Sequence, residues 1–295
     1  MRSARTSRSL RPVPRELPSF DLVVATVGRV EELGRLLDSV EAQEYQRVRV
    51  LVADQNEDKR LKHVLSGRSL EIRHLRSRLG LSRARNAALE HVTADVIAFP
   101  DDDCVYPAGS LKRVAERFSS DPRLDGLTGR AEDASGTSAA SWKMDPARLT
   151  DDNLWNRAIS FTIFLRRGVV ERVGAFDERL GLGSPEPWAS GEEIDYLIRA
   201  VRGGAHIEFE PSLVVLHDVG SDDARIGYRD GASVGYLLRK HRYPARTVTR
   251  MLARPIGGVI VSLGGLNRSH AAFHTATLQG RVRGYRGASS SNIAR

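Results

Sequence analysis

From Phe20 to Phe118 short apolar runs alternate with segments of helical periodicity, and this alternation constrains the fold more than any other feature. Phe20 to Thr26 reads as a first strand. Val30 to Gln43 follows, with Val30, Leu33, Leu36, Leu37 and Val40 at helical spacing. Val48 to Ala53 is a second strand, Asp58 to Leu65 a short helix, and Leu70 to Leu75 a third strand. Leu81 to His91 is a helix, Asp95 to Phe99 a fourth strand, and Leu111 to Phe118 another helix. Strands alternating with short helices predict βαβ units: an α/β fold with a mainly parallel sheet flanked by helices.

The pattern loosens after Asp121. Asp133 to Ser141 is small and polar, which predicts a mobile loop. Ala158 to Leu165 resembles a strand. Ser190 to Arg202 is a helix, with Ile194, Leu197, Ile198 and Val201 on one face. Ile207 to Phe209 and Leu213 to Leu216 read as two strands, ending at His217. From Asp222 onward the chain is helical, basic and amphipathic, with a break at Tyr243-Pro244 and no visible repeat. The expected organisation is a disordered basic arm over 1–18, an α/β domain over 19–220 and a basic helical extension over 221–295.

The net charge of +8 is unevenly spread. Arg2, Arg5, Arg8, Arg11 and Arg15 stand in an arm without acids, and beyond Arg225 the only acid is Asp230. Basic ends predict either an anionic partner or a solvated face. In the extension, Arg239, Lys240, Arg242, Arg246, Arg250 and Arg254 interleave with Leu237, Leu238, Val248, Met251 and Leu252. That pattern fits helices lying on an anionic membrane surface. It equally fits helices packed on the α/β domain or on a second subunit in a homodimer. Residues 1–19 lack the apolar stretch of a secretory signal. The longest apolar candidate, Pro255 to Leu266, holds four glycines and falls short of the roughly 18 residues that span a bilayer. The lone Cys104 excludes an intrachain disulfide. These features predict a cytoplasmic protein, free or peripheral on the inner face of the cell membrane.

Chemistry concentrates where strands end. Val96-Ile97-Ala98-Phe99 runs into Asp101-Asp102-Asp103, and three adjacent carboxylates repel one another. A divalent cation bridged to phosphate oxygens would neutralise them; an acidic turn before a helix is the alternative. Strand one ends in Thr26, with Gly28 and Arg29 beyond, and strand two in Asp54-Gln55-Asn56. In a doubly wound sheet such ends converge on one cleft. The chain has neither a G-x-G-x-x-G nor a G-x-x-x-x-G-K-[ST] loop. Phosphate would instead meet Arg83 and Arg85 at the start of a helix. The same acids would repel nucleic acid, so no nucleic-acid partner is expected.

Taken in order, Thr26-x-x-Arg29, Asp54, Gly80-Leu81-Ser82-x-Ala84-Arg85-Asn86, Asp101-Asp102-Asp103, Gly191-Glu192-Glu193-Ile194-Asp195 and His217 resemble the family 2 glycosyltransferases with the GT-A fold. The resemblance spans Asp21 to about His217. It implies that Asp54 recognises the nucleotide base and that Arg85 lies near base and phosphates, with Thr26, Arg29, Arg83, Asn86, Asp101 and Asp102 also in the donor site. Asp101 and Asp103 match the outer acids of the family's D-x-D motif. Asp103 then ligates Mn2+ or Mg2+, and His217 takes a second metal-site or diphosphate position. Where the family usually shows Gly-Glu-Asp, this chain has Gly191-Glu192-Glu193. Glu193 is then the catalytic base, with Glu192 the alternative, and Trp188 an acceptor-stacking or core residue. The implied activity is inverting transfer from a UDP- or dTDP-type sugar to a hydroxyl of a saccharide or lipid-linked acceptor, in cell-envelope or exopolysaccharide synthesis. The loop from Asp133 to Asp152 would close over the donor. A sugar-1-phosphate nucleotidyltransferase and a non-enzymatic basic adaptor are the competing readings.

Overall fold

The computed structural model describes residues 16–138, 142–218 and 223–287. Of the arm expected to be disordered over 1–18, residues 1–15 lie outside them, as do the proposed boundary at 220/221, Asp222 and the last residues of the Asp133 to Ser141 loop. Leu17 packs against the core and the Pro18 carbonyl accepts from Tyr45, so the end of that arm is ordered. The first half follows the expected alternation: β1 (Phe20–Thr26), α1 (Val30–Glu41), β2 (Val48–Asp54), α2 (Lys62–Leu65), β3 (Glu71–Arg76), α3 (Leu81–Leu89), β4 (Val96–Ala98) and α4 (Ser110–Ser120). The second half adds β5 (Gly126–Glu132), β6 (Ala147–Arg148), β7 (Phe164–Arg166), α5 (Arg167–Val173), α6 (Glu192–Arg202) and β8 (Ile207–Leu216). Three long helices follow: α7 (Ala224–Lys240), α8 (Ala245–Gly264) and α9 (Arg268–Gly287).

The strands form one eight-stranded sheet in the order β3-β2-β1-β4-β7-β5-β8-β6. Strands β1 to β4 are mutually parallel, whereas β7 runs antiparallel between β4 and β5. Side chains alternate between two cores. Val23, Leu51 and Ile97 face Ala84 and Leu197 on one side. Leu22, Val24, Val50 and Val52 face Leu33, Leu37 and Leu111 on the other.

Four local expectations change. The helix expected over Asp58 to Leu65 shrinks to Lys62–Leu65, because Asp58 spends its carboxylate on the Arg60 backbone and guanidinium. Ala158 to Leu165 is mostly a 3-10 turn, Ser160–Thr162, with only its end entering β7. The two strands expected after Ala205 are one, β8, running through Pro211. The pairing of β8 with β5 shifts between Thr128 and Arg130, where a Cβ on Gly129 would overlap the Leu213 carbonyl. β5 itself gave no sequence signal, since its glycines and polar residues hide the strand pattern.

The C-terminal helices pack onto the sheet domain. Leu237, Leu238, Val248 and Met251 are buried in the same core as Tyr196 and Leu197. The membrane face that the sequence suggested from these residues is therefore not available to lipid; packing on the α/β domain is what the fold uses. α7 and α9 meet backbone to backbone. Gly227, Gly231 and Gly235 stand four residues apart on α7 and face α9, while Gly280 and Gly284 face α7. A Cβ at Gly231 or Gly235 would overlap the carbonyl of Thr277 or Arg281, and one at Gly284 the carbonyl of Ala232.

Pro255 lies inside α8 and has no N–H to give the carbonyl of Met251 one turn earlier. Arg281 on α9 donates to that carbonyl instead. Burial, with Arg254 nearby, lowers the Arg281 pKa to about 10. Arg281→Met is expected to destabilise the protein by about 1–3 kcal/mol by orphaning the Met251 carbonyl, which thermal unfolding will measure; an unchanged Tm would show that water satisfies it equally well.

Candidate active site

Parallel pairing brings the ends of β1, β2 and β4 to one side of the sheet. Thr26 is opposite Asp54, and Ala25 bridges to Asp101. Strand order reverses at β1, with β2 on one side and β4 on the other, so the cleft opens at a topological switch point.

Asp54 is buried on the β2 end. Its Oδ1 accepts from the Asn56 backbone N–H and side-chain amide, each at 2.8 Å, and its Oδ2 from Arg76 and His74. Burial opposes its charge, but these donors outweigh it and hold the carboxyl below its usual range. The following residues tie the cleft's loops together. Asn56 Oδ1 accepts from Gly28 N and Gln55 Oε1 from Gly80 N, both at 2.7 Å. His74 and Arg76 were missed from the sequence; their signal was two basic side chains two apart on one face of β3.

The acid triplet divides its work. Asp102 accepts from Arg29 at 3.0 Å, and Arg29 also reaches Asp103. Asp101, Asp103 and His217 offer donor atoms that all lie within 4.8 Å of one another. His217 Nδ1 donates to the Asp218 carbonyl at 2.7 Å, which leaves Nε2 facing Asp103 Oδ1 at 3.0 Å. Oδ1 is buried and, among the described residues, accepts no well-formed hydrogen bond. Two lone-pair donors at that distance need a shared cation, either a proton or a metal. Burial opposes charge on both groups, yet their mutual attraction raises the His217 pKa and, with Arg29, lowers that of Asp103. The two carboxylates suit either Mn2+ or Mg2+, and the imidazole weighs towards Mn2+, because Mg2+ takes oxygen ligands. Phe161 stacks on the His217 ring at 4.7 Å and fixes its plane.

Arg85, 1% exposed, links this cluster to the next. Its Nη2 donates to Asp101 Oδ1 at 3.0 Å and its Nη1 to Glu192 Oε1 at 2.7 Å. Ser160 Oγ also donates to Asp101. Glu192 and Glu193 both line an open cavity of about 500 Å³ together with Asp101 and Ser160, but Glu192 is buried in its ion pair with Arg85, whereas Glu193 is partly exposed. Burial and the neighbouring Glu192 charge push the Glu193 pKa up to about 8. Trp142, Trp155, Leu182 and Val234 supply an apolar wall, and Arg229 and Arg254 a basic rim.

Three residues expected in the site lie elsewhere. Arg83 is half-exposed and pairs with Glu178 at 3.2 Å, away from the acids. The Asn86 amide clasps the Phe176 backbone, accepting from its N–H at 2.7 Å and donating to its carbonyl at 3.0 Å. Trp188 is buried against Tyr236 with ring centroids 4.6 Å apart, and does not line the cavity. The reason is common to all three: on a short helix or loop, sequence position does not tell which way a side chain points.

Comparison with known proteins bears on this arrangement. Glycosyl transferase family 2 matches residues 21–174, just over half of the chain. The "Pre-mycofactocin glycosyltransferase" of Mycobacterium tuberculosis is 26% identical over 232 residues, covering 72% of this chain and 46% of that protein. The chain thus spans about half the length of that relative. "Glycosyltransferase AglE" of Haloferax volcanii is 26% identical over 236 residues, covering 76% of this chain and 71% of that one. Among solved structures, the mannosyltransferase PcManGT from Pyrobaculum calidifontis, in complex with GDP-Man and Mn2+, superposes with a TM-score of 0.65 at 14% identity, over 95% of this chain and 90% of that one. S. aureus TarS 1-349 in complex with UDP-GlcNAc gives 0.56 at 14% identity, over 90% and 91% of the two chains. Those two likenesses show a shared GT-A-type fold. With the sheet order, the acid triplet and the Gly191-Glu192-Glu193 helix start in place, the chain belongs to glycosyl transferase family 2.

Proposed function

We propose that the protein moves a sugar from a nucleoside diphosphate sugar to an acceptor hydroxyl with inversion at the anomeric carbon. One observation carries this: Arg85 bridges Asp101 of the acid cluster and Glu192, so the candidate metal site and the cavity of Glu193 share one wall. Leaving group and nucleophile then sit side by side. Asp54 receives the base. Arg29 offers positive charge to the diphosphate. When bound at Asp101, Asp103 and His217, a divalent cation supplies further charge to the departing diphosphate. Glu193, lining the cavity, takes the acceptor proton. Glu192 holds Arg85 in place; its tight ion pair makes it the poorer base.

The ligands of the structural neighbours, GDP-Man with Mn2+ and UDP-GlcNAc, favour a sugar nucleotide and widen the choice of base to guanine. The setting of the activity, in cell-envelope or exopolysaccharide synthesis, follows from the family resemblance. The test is a binding panel of UDP, dTDP and GDP with and without Mn2+, followed by donor turnover. Metal-dependent affinity for at least one nucleotide is expected; failure of all of them overturns the proposal.

Asp103→Ala is expected to erase the Mn2+-dependent part of that affinity without unfolding the protein. The acids' mutual repulsion alone would make this change stabilising. Because Arg29 and His217 already compensate Asp103, a small loss of stability is expected instead. Calorimetry reads both quantities, and an unaltered Mn2+ effect on nucleotide binding would exclude Asp103 as a ligand.

A further inference from the structure

Five large apolar side chains stand exposed at one place: Ile256, Ile260, Val261 and Leu263 on α8, and Leu266 in the turn to α9. At the helical angle of about 100° per residue, Ile256, Ile260 and Leu263 form one outward stripe. α8 is therefore divided along its length near the buried Pro255. Before Pro255 the exposed positions include Arg246, Arg250 and Arg254; after it the exposed positions of the helix are apolar or glycine. None of the described helices is long and apolar enough to cross a membrane.

Leu266 is the more telling residue. It takes a left-handed backbone, φ 57°, at a helix end where glycine is the usual occupant. It is also 89% exposed, so no packing among the described residues offsets that strain. A branched apolar residue held this way is unfavourable in water and favourable in an apolar phase. Charge selects which phase. The sequence has no acid after Asp230, and Arg268, Arg283 and Arg286 lie exposed on α9. A second copy of this surface would meet like charge, whereas anionic lipid head groups complement it.

We propose that the second half of α8 and the α8–α9 turn insert into the interfacial layer of an anionic bilayer, with the arginines of both helices at head-group level. Arg254 also borders the Glu193 cavity. Ile260 stands six positions further along the helix, about 9 Å at 1.5 Å per residue. Docking would hold the cavity within reach of an acceptor that resides in the membrane, a consequence that rests on the function proposed above.

Flotation of the full-length chain with phosphatidylglycerol-containing vesicles tests the docking without reference to transfer. At low salt the protein should float, and it should stay behind with pure phosphatidylcholine or at high salt. Ile260→Asp and Leu266→Asp should each lower the vesicle-bound fraction about tenfold or more. Neither residue lines the cavity, so nucleotide binding and Tm should be unchanged. Wild-type protein that ignores anionic vesicles overturns the proposal, as do Asp variants that float like wild type. A dimer in solution that Ile260→Asp dissociates, without flotation, would assign the patch to self-association instead. Loss of nucleotide binding with flotation intact would count against the proposed function and leave the docking standing.

Discussion

Glu193→Gln is expected to lower the rate of sugar transfer about 10²-fold or more while nucleotide affinity stays the same. The substitution keeps shape and removes only the proton acceptor. Two further readouts follow from the raised pKa of Glu193. A base must be ionised, so transfer should rise with pH, with an inflection above the usual carboxylate range. Stability should move the other way. The folded protein holds this proton with a pKa near 8 against an ordinary value of 4.5, so the unfolded chain binds fewer protons between those values. Stability then falls as pH rises through that window, and Glu193→Gln should flatten the fall. Normal transfer by Glu193→Gln, with transfer lost in Glu192→Gln while Arg85 stays ordered, would move the base by one residue. Stopped assays across pH, paired with denaturant titrations, separate these outcomes.

The largest effect on folding is expected at Gly235. Gly235→Val places branched carbons where the Arg281 carbonyl already sits, and neither helix backbone has room to yield. Overpacking of this kind costs about 1–3 kcal/mol or more, and here it acts on the seam that seats α9. The expected result is a lower Tm and rapid tryptic cleavage at Arg281, Arg283 and Arg286, with the sheet domain still folded. Gly257→Ala is the control, because a Cβ there meets nothing. Equal stability of the two variants would show that the α7–α9 approach is looser than described.

The same seam shows why parts of this chain were legible and others not. β1, β2 and β4 are legible because both faces are buried, so each is a nearly unbroken apolar run; α1 and α4 are legible because each buries one face. In those helices the period of 3.6 survives in the sequence. The α7–α9 seam leaves a different trace, glycine every fourth residue, which apolar periodicity does not register. The extension was read as amphipathic, but periodicity names a face without naming its partner. Leu237, Leu238, Val248 and Met251 proved to face protein. The exposed apolar side chains of the extension lie farther along, in the stretch too short to span a bilayer.

By itself the sequence determined the alternation of elements, the strand ends carrying Thr26, Asp54 and Asp101 to Asp103, and the family signature, because these depend on local pattern and order. Only the tertiary structure decided which polar groups meet. Arg85 joins Asp101 to Glu192 across α3, β4 and α6; His217 reaches Asp103 from β8; Arg83, Asn86 and Trp188 turn away. Such meetings between residues far apart in the chain are set by how the sheet orders its strands and how helices roll on its faces. Those choices minimise exposed apolar area over the whole molecule, and no short stretch of sequence encodes them.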